Sequence, residues 1–437
     1  GYSGVGKSTL LHCINGIVPR VLPGELQGRV TVGGAAVAQL SMGQLARRVG
    51  TVLQDAEAQI FNQLVEDEVA FGCENLGLAP ATIGERVARI CRLLGLSMDQ
   101  TTDTLSGGLK QRLVVASILA MEQPVLLLDE PLANLDVPSA AILLGLLRDL
   151  ARQGRTVLMV EHRLDLVLPY ATRLLWLEDG RITRDLPGEQ ARREYRGLFS
   201  RDVAPASDAR APTLLRLEDV GWRCSRGTVL AEINLEIGQG ERIVILGENG
   251  SGKTTLLRLL AGLLRPTSGQ VWRDPALRDR PFRRVGYVCQ NPSYQLFMDT
   301  VRREVAFGAA RPEEAEEILA LFGLQEMANR HPQALSEGQK RLVTIAAIAA
   351  IKPAVLLLDE PSVGQDYRGL GRLVAALDEI HRRWAPAMVV VTHDHRSARA
   401  LGRRVICLEA GRVRADGGHA LIERYFTRHL APEEGLL

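Results

Sequence analysis

The chain has 437 residues, enough for two to four domains at roughly 100–200 residues each. Its 53 Lys+Arg against 51 Asp+Glu leave a formal net charge of only +2, which argues against whole-surface nucleic-acid binding. Apolar residues at 46% allow sizeable cores, and the six cysteines lie far apart without CxxC or Cys/His ligand spacing, so reduced thiols are expected rather than disulfides or a zinc site.

The chain opens on Gly1-x4-Gly6-Lys7-Ser8-Thr9, the pattern of a phosphate loop. Gly1, Ser3, Gly4 and Gly6 would let the backbone wind round phosphates with its N–H groups aimed inward at a helix N-terminus. Lys7 would reach the β- and γ-phosphates, and Ser8 would offer its hydroxyl to Mg²⁺. Such a loop should follow a buried strand. None stands before Gly1, whereas the second half supplies 33 residues from Leu214 to Leu246 before its own loop, so the first domain is expected to be N-terminally truncated.

Next comes an apolar strand, Val49–Leu53, ending at Gln54, then the spacing Gln54-x4-Gln59-Ile60-Phe61-x6-Glu68-Val-Ala-Phe-Gly72. A helical segment leads to Leu105-Ser106-Gly107-Gly108-Leu109, where Ser106 caps a following helix and opens a further anion-binding N-terminus. The apolar stretches Leu113–Met121 and Val125–Leu128 fall far short of the ~20 residues that cross a bilayer. Val125–Leu128 instead suits a strand buried on both faces, and its C-terminal end is where open α/β sheets place ligands. There Asp129 would hold Mg²⁺ through water, and Glu130 would polarise the attacking water. Asn134-Leu-Asp136 and Val160-Glu-His162-Arg-Leu-Asp165 complete the first half.

Gln190 to Pro212, rich in Arg, Ala, Pro and Asp, reads as a surface linker, and a strand pattern resumes at Leu214–Val220. The whole series then recurs in the same order. Strand Arg242–Leu246 precedes Gly247, Asn249, Gly250, Gly252, Lys253, Thr254 and Thr255. Val285–Cys289 precedes Gln290-x4-Gln295-Leu296-Phe297-x6-Glu304-Val-Ala-Phe-Gly308, with a shorter helical segment after it. Leu335-Ser336-Glu337-Gly338-Gln339, Val355–Leu358 with Asp359-Glu360-Pro361, Val363-Gly-Gln-Asp366 and Val391-Thr-His393 follow.

This order of motifs resembles the ATP-binding cassette (ABC) ATPases, once per half and over nearly the whole chain. The resemblance implies an α/β fold of two tandem P-loop NTPase domains, at 1–189 and 214–437 around a linker at 190–213, each with a mostly parallel core sheet and a helical signature subdomain. It implies ATP and Mg²⁺ as cofactors, and catalytic roles for Glu130, Glu360, His162, His393, Gln54 and Gln290. Ser8, Thr254, Gln54, Gln290, Asp129 and Asp359 would serve the metal. It further implies a head-to-tail sandwich of the fused halves, with Ser106 and Gly108 on the ATP of Lys253, and Ser336 and Gly338 on the ATP of Lys7.

The segment after each Q-loop glutamine, and Val160–Asp165, resemble the energy-coupling factor (ECF) and cobalt-type import ATPases. That implies a peripheral ATPase at the cytoplasmic face of the cell membrane, driving a transmembrane coupling protein and a small substrate-binding membrane subunit, with no nucleic-acid partner. Ile60, Phe61, Leu296 and Phe297 would line the groove for the partner's coupling helices, or else be plain core. The alternative is a ribosome-acting translation factor of the same family, whose long charged linker has no counterpart in the short segment at 190–212. Three departures from the family pattern stand out: Leu109 for Gln, Glu337 for Gly, and Gly-Gln-Asp for Asn-Leu-Asp. They suggest two sites that both bind ATP and hydrolyse it unequally. The adenine-stacking aromatic falls near Cys224, with Trp222 beside it.

Overall fold

Leucine and β-branched side chains without polar alternation fit strands covered on both faces, and the two runs ending in Asp-Glu-Pro form such strands. The computed structural model describes residues 4–196, 211–225, 227–278 and 284–430. It divides into two compact units, Gly1–Arg196 and Gly197–His429.

In the first unit, helix α1 (Lys7–Ile14) leaves the phosphate loop. A short hairpin, β1 (Thr31–Val32) and β2 (Ala35–Ala36), precedes β3 (Val49–Val52). Helices α2 (Val65–Asn75), α3 (Pro80–Leu94) and α4 (Gly107–Ala120) then lead to β4 (Val125–Asp129). After α5 (Val137–Arg152), β5 (Thr156–Val160) closes a parallel sheet of order β3-β4-β5. Leu11, Val32, Val37, Leu45, Val49 and Leu127 form a core beside it. β6 (Arg173–Glu178) and β7 (Arg181–Pro187) make an antiparallel ribbon.

The expected linker begins as something else. Helix α6 runs over Gly188–Arg196, supported by Glu189–Arg193 and Gln190–Glu194 pairs one turn apart. Its Ala191 and Tyr195 are buried, and Tyr195 stacks on Trp176. The Arg- and Glu-rich composition is thus the polar face of a docked helix. Residues 197–210 lie outside the described residues.

The second unit opens with β8 (Thr213–Cys224) and β9 (Gly227–Gly238), joined by β11 (Ser268–Arg273) in an antiparallel sheet of order β11-β8-β9. Between them in sequence, β10 (Arg242–Leu246) delivers the chain to α7 (Lys253–Leu260). β12 (Val285–Val288), helices α8 (Val301–Gly308), α9 (Pro312–Leu321) and α10 (Glu337–Ala350), and β13 (Val355–Asp359) repeat the earlier pattern. At ten residues, α9 is shorter than the fifteen of α3, as the sequence predicts. Helix α11 (Tyr367–Trp384), β14 (Ala387–Val391), α12 (His395–Leu401), β15 (Arg404–Glu409), β16 (Arg412–Gly417) and α13 (Ala420–Leu430) complete the unit.

The main sheet has the order β12-β13-β14-β10-β15-β16, parallel but for β16. Ile243 and Ile245 of β10, Leu257 and Leu260 of α7, Leu357 of β13 and Val389 of β14 share one core. Because β10 lies between β14 and β15, the loop after Leu246 emerges at the same sheet edge as Asp359 and Thr392. That C-terminal edge is where α/β sheets bind ligands.

Among the described residues β5 pairs with β4 alone, whereas β14 is bonded on both sides, by β13 and β10. β14 is buried throughout, and β5 is half-buried or exposed. Hydrogen exchange read by mass spectrometry should therefore find the Ala387–Val391 amides at least ~10-fold slower than those of Thr156–Val160, about 1.4 kcal/mol of extra opening free energy. Equal rates would contradict the pairing.

Candidate active site

Each site starts from a loop that only glycine can make. In the second unit Gly250 and Gly252 have φ of 82° and 98°, and Gly4 and Gly6 of the first have 78° and 95°. A Cβ on Gly252 would lie 2.6 Å from Leu230 Cδ2, and one on Gly247 would lie 2.3 Å from the Leu408 carbonyl oxygen. Gly6 and Gly252 immediately precede α1 and α7, whose first N–H groups form an anion site. Lys253 Nζ donates to the carbonyls of Gly247 at 2.7 Å and Glu248 at 2.6 Å, and so spans the loop it serves. Asn249 sits in that loop. Thr9 and Thr255 lie in the first turns of the helices. Gly1 and Ser3 lie outside the described residues.

The metal half follows directly. Thr254 Oγ1 donates to Asp359 Oδ2 at 2.9 Å, and Ser8 makes the matching bond to Asp129. Burial pushes both aspartates above the ordinary carboxylate range, against the pull of those hydroxyls and of Lys7 and Lys253. Asp129 Oδ1 is buried without a hydrogen-bond partner among the described residues. A hydroxyl, one carboxylate and phosphate oxygens are the hard donors that Mg²⁺ takes, with water filling the rest. Among the described residues no three His, Cys, Asp or Glu cluster as a metal cage.

The next residue carries the chemistry. Glu130 and Glu360 both adopt the left-handed backbone, with φ of 50° and 52°. For a non-glycine residue this conformation costs about 1–3 kcal/mol and clusters at functional sites. The turns are held by Glu130 N–H to Val160 O and Glu360 N–H to Val391 O, each 2.9 Å. In the first unit His162 Nε2 lies 2.8 Å from Glu130 Oε1, and Gln54 Nε2 donates to Oε2 at 3.3 Å. Burial works to raise the Glu130 carboxyl, yet His162, Lys7 and Gln54 together hold it below its usual range.

The second unit is arranged differently. His393 Nε2 lies 3.3 Å from Glu360 Oε1, while the His393 backbone N–H donates to Oε2 at 3.2 Å. Gln290 is held through its carbonyl by Arg341 Nη2 at 2.7 Å, and Arg341 Nη1 donates to the Glu360 carbonyl at 2.9 Å. The structure thus gathers Gln54, Glu130 and His162 in one unit, and Glu360 with His393 in the other.

Ser106 and Ser336 cap α4 and α10 by accepting from Leu109 N and Gln339 N. Gln339 Oε1 in turn accepts from Ser336 N at 3.1 Å, so of these two helices the second, which keeps Gln, has the reciprocal box. Glu337, where a glycine is usual, is exposed in the first helical turn, paired with Lys340 at 2.9 Å and favourably placed in the helix dipole. Gly338 is the demanding position, because a Cβ there would lie 2.3 Å from the Gly364 carbonyl oxygen. Gln365 Nε2 also donates to Gly338 O at 2.6 Å. Trp222 packs against the core of the second unit.

Sequence reasoning missed the residues that hold these loops. Gln59 accepts from Leu53 N at 2.7 Å and Gln295 from Cys289 N at 2.9 Å, pinning the loops of Gln54 and Gln290. Glu68 accepts from Phe61 N and Asn62 N, and Glu304 from Phe297 N and Met298 N. The signal was present in the identical spacing of the two halves.

Gly338→Ala should cost about 1–3 kcal/mol and lower the ATPase rate, since backbone must move to admit the methyl. Gly107→Ala should leave the melting temperature unchanged, because its nearest neighbour would be Asn134 at 3.8 Å. Calorimetry on both variants checks the contrast.

Comparison with known proteins agrees with this geometry. The ABC transporter family profile matches residues 1–133 and 230–363. The chain is 36% identical to a protein of Streptomyces avermitilis, over 100% of this chain and 92% of that one. It is 33% identical to one of Treponema denticola, over 98% and 93%. Both carry the name "Putative ABC transporter ATP-binding protein". Among solved structures, an archaeal ribosome recycling factor in complex with an archaeal ribosomal stalk protein matches with a TM-score of 0.74 at 21% identity, covering 98% of this chain and 87% of that one. At that identity the likeness speaks to the fold alone. The chain belongs to the ABC transporter family of ATP-binding proteins, with two P-loop ATPase domains in tandem that bind ATP and Mg²⁺ and hydrolyse the nucleotide.

Proposed function

We propose that this ATPase energises import of a small solute, such as a vitamin, its precursor or a transition metal ion, through a separate ECF-type membrane complex. The observation that carries the reading is a pair of exposed aromatic platforms. Phe61 is 72% exposed and Phe297 79%, at matching positions beside the two Q-loops. Phe71 extends the first, its ring centre 5.9 Å from that of Phe61, and Phe307 is exposed at the matching position of the second unit. Leu296 is buried and belongs to the core, and Ile60 is half-buried. The buried carboxylates of Glu68 and Glu304 fix the turns that point the phenylalanines outward. A rigid apolar platform in water favours a partner that covers it. Amphipathic coupling helices of a transmembrane protein have the fitting chemistry. No helix among the described residues is long and apolar enough to cross a membrane, so the membrane-spanning part of such a complex would come from the partners.

In the reaction, Glu130 and Glu360 accept the proton of the attacking water, and His162 and His393 hold those carboxylates in place. Lys7 and Lys253 bind the β- and γ-phosphates, while Ser8, Thr254, Asp129 and Asp359 would hold Mg²⁺, which supplies charge neutralisation on the phosphates. Glu130 is oriented by two side chains and Glu360 by its histidine, so the two sites work at different rates. In the full-length protein with its membrane partner, Glu130→Gln should remove the larger share of ATPase and transport. Equal residual rates for Glu130→Gln and Glu360→Gln would defeat the inequality.

Phe61→Ala and Phe297→Ala should weaken co-purification with the transmembrane coupling protein by about tenfold while nucleotide affinity stays within about twofold. Loss of nucleotide binding with assembly intact would mark them as core residues. Sedimentation with ribosomes and no membrane partner would favour the translation-factor reading instead. Mass spectrometry of small molecules bound to the purified complex would identify the solute.

A further inference from the structure

Two side chains from the segment after β5 hold the turn that runs from Leu132 into Asn134-Leu135-Asp136, the D-loop of the first unit. The carboxylate of Glu161 accepts three backbone N–H groups: Leu132 at 2.9 Å on one oxygen, and His162 at 2.9 Å and Arg163 at 3.2 Å on the other. Arg163 Nη1 donates to the carbonyls of Leu132 at 3.2 Å and Leu135 at 2.8 Å. Both backbone groups of Leu132, two residues past Glu130, are therefore tied to the residues that flank His162.

The second unit is built otherwise at the matching positions. There Thr392 lies 3.4 Å from the Ser362 hydroxyl and accepts from Asp394 N, and Asp394 caps α12 through Arg396 N. The consequence falls on the glutamate. Without a carboxylate at position 392, the His393 N–H goes to Glu360 Oε2. With Glu161 present, the His162 N–H goes to Glu161, and both oxygens of Glu130 face side chains, His162 and Gln54.

We propose that Glu161 and Arg163 are positioning residues for ATP hydrolysis in the first unit, locking its D-loop to the switch histidine and releasing Glu130 to be oriented by Gln54 and His162. The inference rests on Glu130 acting as the base. It assigns the difference between the two sites to a pair of residues outside the motifs that bind nucleotide. Three charge-assisted bonds to one carboxylate make a stiff anchor.

The test uses the full-length chain carrying Glu360→Gln, so that turnover reports the first unit. Exchanging the pair for its counterparts, Glu161→Thr with Arg163→Asp, should lower kcat by about tenfold or more and leave KM for ATP within about twofold. Glu161→Gln keeps the shape but presents one acceptor oxygen instead of two. It should lower kcat in the same sense, with the melting temperature and binding of a fluorescent ATP analogue retained. In a chain that carries Glu130→Gln, either change should add nothing further, since it acts through Glu130. A rise in KM with kcat intact would overturn the proposal, as would a loss that adds fully to that of Glu130→Gln. If Glu130→Gln itself costs nothing in the Glu360→Gln chain, the base assignment fails. If Glu130→Gln abolishes turnover and Glu161→Gln does not change it, only the positioning role fails.

Discussion

The chemistry of each unit depends on one turn, where a buried strand ends in aspartate and the following glutamate is forced into the left-handed region. Glu130 and Glu360 keep the sheet's bonding going one residue past the strand, through the carbonyls of Val160 and Val391. Asp129 is in register with Val160, and Asp359 with Val391. His162 and His393 come two residues after those valines, so strand register sets the distance from glutamate to histidine. A slip by one residue would turn every side chain of the strand to the other face, and apolar strands buried on both sides would not by themselves resist it. The Thr254–Asp359 bond adds a contact specific to one register. The cost of about 1–3 kcal/mol for each left-handed glutamate is offset by the buried strands and helices beneath it.

A second division of labour lies in the segment after each Q-loop glutamine. Glu68 and Glu304 point inward while Phe61 and Phe297 point outward, the reverse of ordinary patterning, although Leu296 stays in the core. Gln59 and Gln295 replace missing strand partners at the ends of β3 and β12, donating as well to Thr51 O and Tyr287 O. Glu68 and Glu304 are buried, and each satisfies two successive N–H groups that a tight turn would otherwise leave unpaired. Spacing is preserved between the halves because these bonds need it. The phenylalanines join that network through their backbone N–H groups alone and their rings take no part in it, so the fold does not account for the rings.

Much of this is legible in the sequence alone. Continuous apolar runs ending in Asp-Glu-Pro read as buried parallel strands because little else buries four leucines and valines in a row. The phosphate loops read from glycine spacing, since a positive φ and close backbone approach leave no other residue. Errors arise where the sequence carries no clear period. Gln190–Arg196 reads as linker through its charge, although Ala191 and Tyr195 lie four apart and mark one buried helical stripe. Leu296 and Phe297 read alike by hydropathy, and only the turn held by Glu304 decides that one goes in and the other out. Glu161 and Arg341 act by bonding backbone atoms of distant loops, and such bonds leave no pattern in the chain.

The two units also differ in where they place buried polarity. Arg341 is buried and its charge is costly there, but the carbonyls of Asp359, Glu360 and Gln290 all accept from it. Gln111 stands at the matching place in α4, fully buried, and neither its oxygen nor its nitrogen has a partner among the described residues. Drawing α10 away from Gln290 therefore breaks a charged hydrogen bond worth about 1.5–3 kcal/mol, and drawing α4 away from Gln54 breaks none at that position. The first unit links α4 to the segment after Gln54 by the Lys110–Glu57 pair at 2.7 Å, near the surface, and places its buried carboxylate, Glu161, between the D-loop and the residues flanking His162. One unit thus ties its signature helix to the Q-loop through a buried arginine, and the other uses a more exposed ion pair there and holds its D-loop through Glu161 and Arg163. Duplication of the motifs has therefore not produced duplication of the bonds that hold them together.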